Sequence, residues 1–236
     1  MKTATKSRTV YGIAGDGKLA KHLLRYLAAL QLPCRQWSRK KSKLPPQTAL
    51  ACCTHIIIAI SDDAIEPFIR ANFAASKAVL IHCSGSLCTE LAYGAHPLYV
   101  FGTKLLTLAE YKKIPFVTEK SGPAFAKLLP GLPNAHFEIP VEQKPLYHAL
   151  CVLSSNFSTL LWDKFFDGAK QLGIPHDAAH AYFASSARNI CGERAFTGPL
   201  ARGDKKTMHA NITALRGDKF AHVYKTFAKH CAGRGK

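Results

Sequence analysis

The stretch from Thr9 to Leu24 constrains this chain more than any other. An apolar segment, Val10-Tyr-Gly-Ile-Ala14, passes through a glycine turn into an amphipathic pattern that begins near Lys18. That order predicts a short strand, a tight turn and a helix. Gly15-Asp16-Gly17-Lys18-Leu19-Ala20 has the spacing G-x-G-x-x-A, and each small residue has a mechanical reason. Gly15 permits the turn, Gly17 lets backbone come close to a pyrophosphate, and Ala20 lets the helix close onto the strand. A phosphate there would rest on the unpaired N–H groups at the positive end of the helix dipole. Gly15, Asp16, Gly17, Lys18 and Leu19 are therefore candidate cofactor-binding residues. A plain strand–turn–helix is the competing reading.

A chain of 236 residues suffices for one large domain or two small ones. Apolar residues at 47% and charged residues at 20% describe a globular chain, not a disordered one. The charge is unusual, because 32 Lys and Arg against 15 Asp and Glu leave +17. Such an excess favours anionic partners: a phosphorylated cofactor, an acidic metabolite or nucleic acid. Nucleic acid is disfavoured, since no recognition-helix motif, RNA-binding aromatic pattern or zinc finger occurs. The cysteines, at 34, 52, 53, 83, 88, 151, 191 and 231, form no C-x-x-C and no Cys/His metal spacing. They read as buried free thiols in a reducing compartment, with no metal site. Residues 1–8 read as a disordered basic lead. The apolar run after them is too short for a signal peptide and is interrupted by Asp16 and Lys18. No stretch approaches the about 18 apolar residues of a membrane span, so the expected location is the cytoplasm.

After a first helix ending near Leu30, Leu32–Trp37 reads as a second strand running into Ser38-Arg39-Lys40-Lys41. In a dinucleotide fold this position faces the adenosine ribose. An Asp or Glu there suits NAD, and an Arg accommodates a 2′-phosphate. No carboxylate is present, and a guanidinium can grip a phosphate bidentately. Ser38, Arg39 and Lys40 therefore point to NADP(H), with a solvated basic loop as the alternative. Apolar runs within 49–60 and at 78–82 read as strands buried on both faces. Residues 95–101, 114–118 and 136–139 read as further strands, with 121–129 helical. Asp63 and Glu66, at capping-box spacing, read as helix caps. This alternation predicts an α/β, doubly wound parallel sheet over 1–140.

From 141 to 236 the pattern is all helical: Pro145 to about Gly168, Asp177 to about Cys191, and Lys205 to about His230. On the first of these, Leu146, Leu150, Leu153, Phe157, Leu160 and Leu161 share an apolar face. Lys144, His148, Ser155, Asn156, Thr159 and Asp163 lie opposite, facing either a cleft or solvent. Between the last two helices, Phe196–Asp204 is a shaped loop. Its Arg202 could hold a substrate carboxylate, pair with Asp204 or cap a helix.

These blocks together resemble a known family. Gly15-x-Gly17-x-x-Ala20, Ile60-Ser-Asp-Asp-Ala-Ile65, His82-Cys-Ser-Gly85 and His96-Pro97-Leu98 with Phe101 carry the resemblance in the first half. Tyr147-His148, Ser155-Asn156, Thr197-Gly-Pro199, Ala201-Arg-Gly-Asp204 and His209 carry it in the second. The chain is similar to Rossmann-like NADP-dependent oxidoreductases with a helical C-terminal domain of unknown function. These are related in architecture to pyrroline-5-carboxylate reductase, prephenate dehydrogenase and ketopantoate reductase. The resemblance implies a Rossmann domain, a helical substrate and dimerisation domain, and a homodimer. It further implies NADPH-dependent reduction of a small anionic 2-keto acid, with 2-dehydropantoate the first candidate.

Hydride transfer to a carbonyl needs a placed nicotinamide, a proton or hydrogen-bond donor for the oxygen, and a clamp for any carboxylate. Ser61, Ser84 and His96 would gather at the carboxyl edge of the sheet. His148 is the first candidate proton donor, Lys144 its rival, and Asn156 could orient the carbonyl. His96 and Arg202 are the substrate-binding candidates. A nucleotide-sensing or scaffolding protein that keeps the fold without catalysis is the alternative.

Overall fold

In the computed structural model, which describes residues 9–231, the opening stretch forms β1 (Tyr11–Ala14) and α1 (Lys18–Ala29). The basic lead at 1–8 lies outside the described residues. Two compact units divide between Ser158 and Thr159.

The first unit is built on a sheet whose other strands are β2 (Cys34–Trp37), β3 (His55–Ile58), β4 (Val79–His82), β5 (Tyr93–Pro97), β6 (Phe116–Glu119) and β7 (His136–Ile139). Their order is β2-β1-β3-β4-β5-β6-β7. Helices α2 (Pro46–Ala49), α3 (Asp62–Asn72), α4 (Leu108–Lys112) and α5 (Phe125–Leu128) fill the connections. Neighbouring strands are parallel, as the α/β reading requires, except that β5 and β6 run antiparallel, with His96 opposite Val117. A parallel join needs a crossover of a dozen or more residues, usually a full helix. The β5–β6 connection holds only the five-residue α4. Nor is 121–129 helical throughout: only Phe125–Leu128 is.

The strand β3 shows why its sequence is apolar throughout. Ile57 packs with Tyr11, Ile13, Leu23 and Leu27 on one side of the sheet, towards α1. Ile56 and Ile58 pack with Ala14, Ile65 and Ile69 on the other, towards α3. Successive side chains point to opposite faces, so a strand covered on both sides needs apolar residues at every position. The chain leaves β1 towards β2 and then returns across to β3. The strand order therefore reverses between β1 and β3, where a crevice opens beyond the carboxyl ends.

Asp63 and Glu66 do not make the expected capping box. Ser61 is the N-cap of α3 and its side chain makes no capping bond. Glu66 instead accepts a hydrogen bond from Thr89 Oγ1 at 2.5 Å, and Asp62 accepts one from Ser84 Oγ at 2.5 Å. The fold brings these loop hydroxyls, distant in sequence, to the helix, and they displace the local option.

After β7, the helix expected from Pro145 comprises α6 (Lys144–Cys151), a π-helical stretch at Val152–Asn156, and α7 (Phe157–Gln171). The division between units falls after α6, not at 140/141, because α6 is tied to the sheet edge by polar contacts. Lys144 Nζ donates to Glu119 Oε1 at 2.5 Å, and both side chains are buried. A Cβ on Gly94 would stand 2.5 Å from each of those two atoms, so the absence of a side chain there makes room for the pair. His82 lies beside it, with Nε2 4.0 Å from Glu119 Oε1. Burial, and then the Lys144 charge, push the His82 pKa down to about 3. His82 is thus a neutral neighbour and not a second ion-pair partner.

This attachment inverts the expected amphipathic arrangement of α6. The polar face turns to the sheet, while Leu146, Leu150, Leu153 and Phe157 are exposed. Leu146 keeps 63% of its surface in solvent.

In the second unit, α8 (His176–Cys191), α9 (Gly198–Arg202), α10 (Lys205–Ala214) and α11 (Phe220–Cys231) follow the rest of α7. Trp162 meets Phe183 edge to face, ring centroids 4.8 Å apart. The single helix expected from Lys205 to His230 is broken at 215–219. Gly217 adopts φ 84° there, and Asp218 accepts from Phe220 N at 2.9 Å while pairing with Lys164. The cysteines also depart from the buried set expected: of the seven described, all free, Cys53 is buried and Cys52, Cys88 and Cys191 are exposed. Among the described residues no helix is long and apolar enough to cross a membrane.

Removing one partner of a buried ion pair leaves an uncompensated charge. Lys144→Met is therefore expected to lower the unfolding free energy by about 3–5 kcal/mol. The double variant Lys144→Met with Glu119→Leu should recover most of that loss in denaturant titrations. Equal loss in the single and double variants would show that the pair does not bear on stability.

Candidate active site

The crevice at the β1/β3 switch has a volume of about 610 Å³. Gly15 to Leu19 form one side of it. Gly15 has φ 139°, and a Cβ there would stand 2.2 Å from the carbonyl oxygen of Ala59. Only glycine fits that turn. Its N–H donates to Trp37 O at 2.8 Å, and its carbonyl accepts from Gln36 Nε2 at 2.8 Å, which locks the turn to β2. Gly17 is different. It is the N-cap of α1, no side chain caps the helix, and a Cβ on it would meet nothing within 4 Å. The protein's own packing therefore does not demand a glycine at 17, whereas close approach of a ligand to the backbone does.

Ser38, Arg39 and Lys40, at the end of β2, line the opposite side, and Ser61 closes the crevice after β3. Ser38 is buried, yet its Oγ has no hydrogen-bond partner in the protein. A buried hydroxyl without a partner costs roughly 1–3 kcal/mol, so this one is poised for a bound acceptor. Arg39 and Lys40 are exposed beside it. Asp16 is the sole carboxylate in the lining, and it sits at the glycine turn, not at the end of β2. Ser84 does not reach this crevice. Its Oγ is engaged with Asp62 and accepts from Leu87 N at 3.0 Å, which organises the turn after β4. Sequence reasoning overlooked Trp37 and Phe68, whose rings lie 5.4 Å apart in the crevice wall. An aromatic at the end of the second strand was a visible signal; Phe68 was not, because only the second turn of α3 brings it there.

A second cleft, of about 400 Å³, lies where α6 crosses the end of β5. His96, His148 and Asn156 line it together, with Cys151 and Ser155. His148, Val152 and Asn156 are spaced i, i+4 and i+8 and so share one helix face, which the wider turn of the π-helical stretch narrows. Gly85 makes room for both rings: a Cβ on it would stand 2.7 Å from His148 Cδ2 and 3.3 Å from His96 Cδ2. His96 Nδ1 is 2.7 Å from the Tyr147 hydroxyl. Burial, followed by the neighbouring His148, pushes the His96 pKa down to about 4, so its ring is neutral near pH 7. Tyr147 itself was not among the expected site residues. Lys144 is absent from the cleft lining, since its ammonium is held by Glu119. Arg202 belongs to the second unit, as the last residue of α9. Beyond it, Asp204 caps α10 by accepting from Thr207 N at 3.1 Å, and its carboxyl is held low mainly by the Thr207 hydroxyl.

Residues 117–231 match the family model described as a domain of unknown function, DUF2520. No curated protein sequence matches the chain. Among solved structures, the chain is similar to Bacteroides fragilis BF3122, provisionally described as an NADP oxidoreductase. The TM-score is 0.78 at 18% identity, covering 96% of this chain and 98% of that one. It is also similar to pyrroline carboxylate reductase of Plasmodium falciparum with NADP bound (TM-score 0.61, 12% identity, 98% of each chain). A third is the reductive aminase of Aspergillus terreus in complex with a nicotinamide cofactor analogue, cyclohexanone and allyl amine (TM-score 0.58, 14% identity, 96% and 95%). At these identities the likeness is one of fold. The chain thus has a Rossmann-like fold, and its residues 117–231 resemble the DUF2520 model.

Proposed function

We propose that the protein is an NADP(H)-dependent reductase of a small carbonyl compound. The observation that carries this reading is the crevice at the β1/β3 switch. It combines an uncapped helix N-terminus, an open cradle at Gly17, and the orphaned Ser38 hydroxyl beside Arg39 and Lys40. Those features suit a pyrophosphate and a ribose 2′-phosphate. The solved structures of similar fold that hold NADP or an NADPH analogue support the same cofactor. When bound, the cofactor supplies the hydride.

The chain's own residues do the rest. His148 gives the proton to the developing alkoxide, His96 hydrogen-bonds the same oxygen, and Asn156 orients the carbonyl. The finer reading is a small 2-keto acid, first 2-dehydropantoate, with the Arg202 guanidinium as the carboxylate clamp. The cytoplasm is the compartment that keeps the exposed thiols reduced. A homodimer is part of the reading. Leu146, Leu150, Leu153 and Phe157 form an exposed apolar row along one helix, and a second copy of the chain would cover it.

NADPH oxidation against a panel of 2-keto acids, neutral ketones and cyclic imines tests the activity. Turnover of none of them would leave the sensing alternative in place. Arg39→Asp should weaken NADPH binding at least tenfold and leave NADH nearly unchanged. Equal loss for both cofactors would remove Arg39 from the 2′-phosphate site. Light scattering should give twice the mass of the chain at micromolar concentration, and Leu150→Glu should shift it to monomer. A wild-type monomer would end the dimer proposal.

A further inference from the structure

The Tyr147–His96 contact joins α6 to β5, and it fixes more than position. A neutral imidazole has one N–H and one lone pair, and the hydrogen bond at one nitrogen decides which atom carries the proton. Here Nδ1 is taken by Tyr147 Oη at 2.7 Å, with the rings edge to face at 5.5 Å. Two arrangements satisfy that distance: the phenol donates to Nδ1, or Nδ1–H donates to the phenol. An imidazole lone pair is a stronger acceptor than a phenol oxygen, so the first is favoured. Burial holds the Tyr147 proton on its oxygen by pushing its pKa up, and Cys151, one turn further along α6, lies against the same hydroxyl. The charged and titratable groups that bear on His96 are His148 and Lys144 from α6 and Asp62 from α3. The first two oppose its protonation and the third favours it, and burial outweighs all three.

We propose that Tyr147 is a positioning residue. By donating Oη–H to His96 Nδ1 it fixes the Nε2–H tautomer, so His96 meets the cleft as a neutral hydrogen-bond donor for the substrate's carbonyl oxygen. The tautomer follows from this chain alone; the identity of the acceptor rests on the reductase reading. Tyr147 is not among the side chains that line the cleft. A donor that stays neutral stabilises a developing oxyanion without first having to acquire a proton at pH 7. Had the ring taken the other tautomer, it would turn a lone pair towards that oxygen and repel it. The cost of a wrong tautomer in a catalytic imidazole is large.

Nitrogen-15 NMR of histidine-labelled, cofactor-free protein tests this, with His96→Gln identifying the resonances. The expected result is a protonated Nε2 and an unprotonated, hydrogen-bonded Nδ1, unchanged between pH 5.5 and 8. Tyr147→Phe should convert His96 to a mixture of tautomers. With the reducible substrate in hand, it should lower kcat by about tenfold or more at nearly constant KM and little change in thermal midpoint. A wild-type His96 protonated at Nδ1, or titrating near pH 6.5, would overturn the proposal. So would Tyr147→Phe with an unaltered tautomer. The wild-type spectrum decides the tautomer even if the variant folds poorly. If the tautomer is as stated and no carbonyl or imine is reduced, the positioning role stands and the reductase reading fails.

Discussion

The buried pair between Lys144 and Glu119 is the constraint on which the cleft between α6 and β5 depends. Lys144, Tyr147, His148 and Cys151 are spaced i, i+3, i+4 and i+7, so they share one face of α6. Pinning the first of them to β6 at 2.5 Å sets the rotation of the whole face. Tyr147 then meets His96, and His148 lies over Gly85. An apolar contact at the same place could slide by a residue at small cost, but an ion pair cannot. Buried pairs give little net stability over apolar residues of the same shape, and losing one partner is severe. What this pair contributes is register. The site bears its cost in shape as well, since β5 must leave a side chain out at Gly94 to admit it.

The same pair explains which parts of the molecule could be read from sequence. The glycine turn and the strands could, because a Gly15 fitted against Ala59 and a β3 buried on both faces impose residue types locally. The orientation of α6 could not. Amphipathic reasoning places the leucine face inward, and it fails where the sheet edge supplies buried polar partners such as Glu119 and His96. The capping box at Asp63 and Glu66 failed for a related reason, since the hydroxyls of Ser84 and Thr89 come from another loop. His148 and His96 were found as residue types with suitable chemistry, but Tyr147 resembles any helical aromatic until its partner across the fold is known.

The π-helical stretch at Val152–Asn156 belongs with the features that sequence does not announce. Nothing in Val-Leu-Ser-Ser-Asn departs from ordinary helical composition. Its effect is geometric: eight α-helical residues carry a side chain about 80° past its starting direction at about 100° per residue, while a wider turn brings it back. His148 and Asn156, at i and i+8, share a helix face in either form, and the wider turn narrows the angle between them where they line one cleft.

Within the first unit, burial above all bears on which histidines can carry charge. His82 and His96 are both neutral near pH 7, chiefly through burial, with Lys144 opposing protonation of each. Neutral rings must be oriented by a second hydrogen bond, and the same nitrogen is used in both. His82 Nδ1 faces Ser84 N at 3.2 Å, and since a backbone N–H can only donate, Nδ1 is the acceptor and Nε2 carries the proton. That Nε2–H has no hydrogen-bond partner and lies 4.0 Å from Glu119 Oε1. His96 repeats the arrangement with a phenol in place of a peptide N–H, and its Nε2 belongs to a ring in the cleft wall.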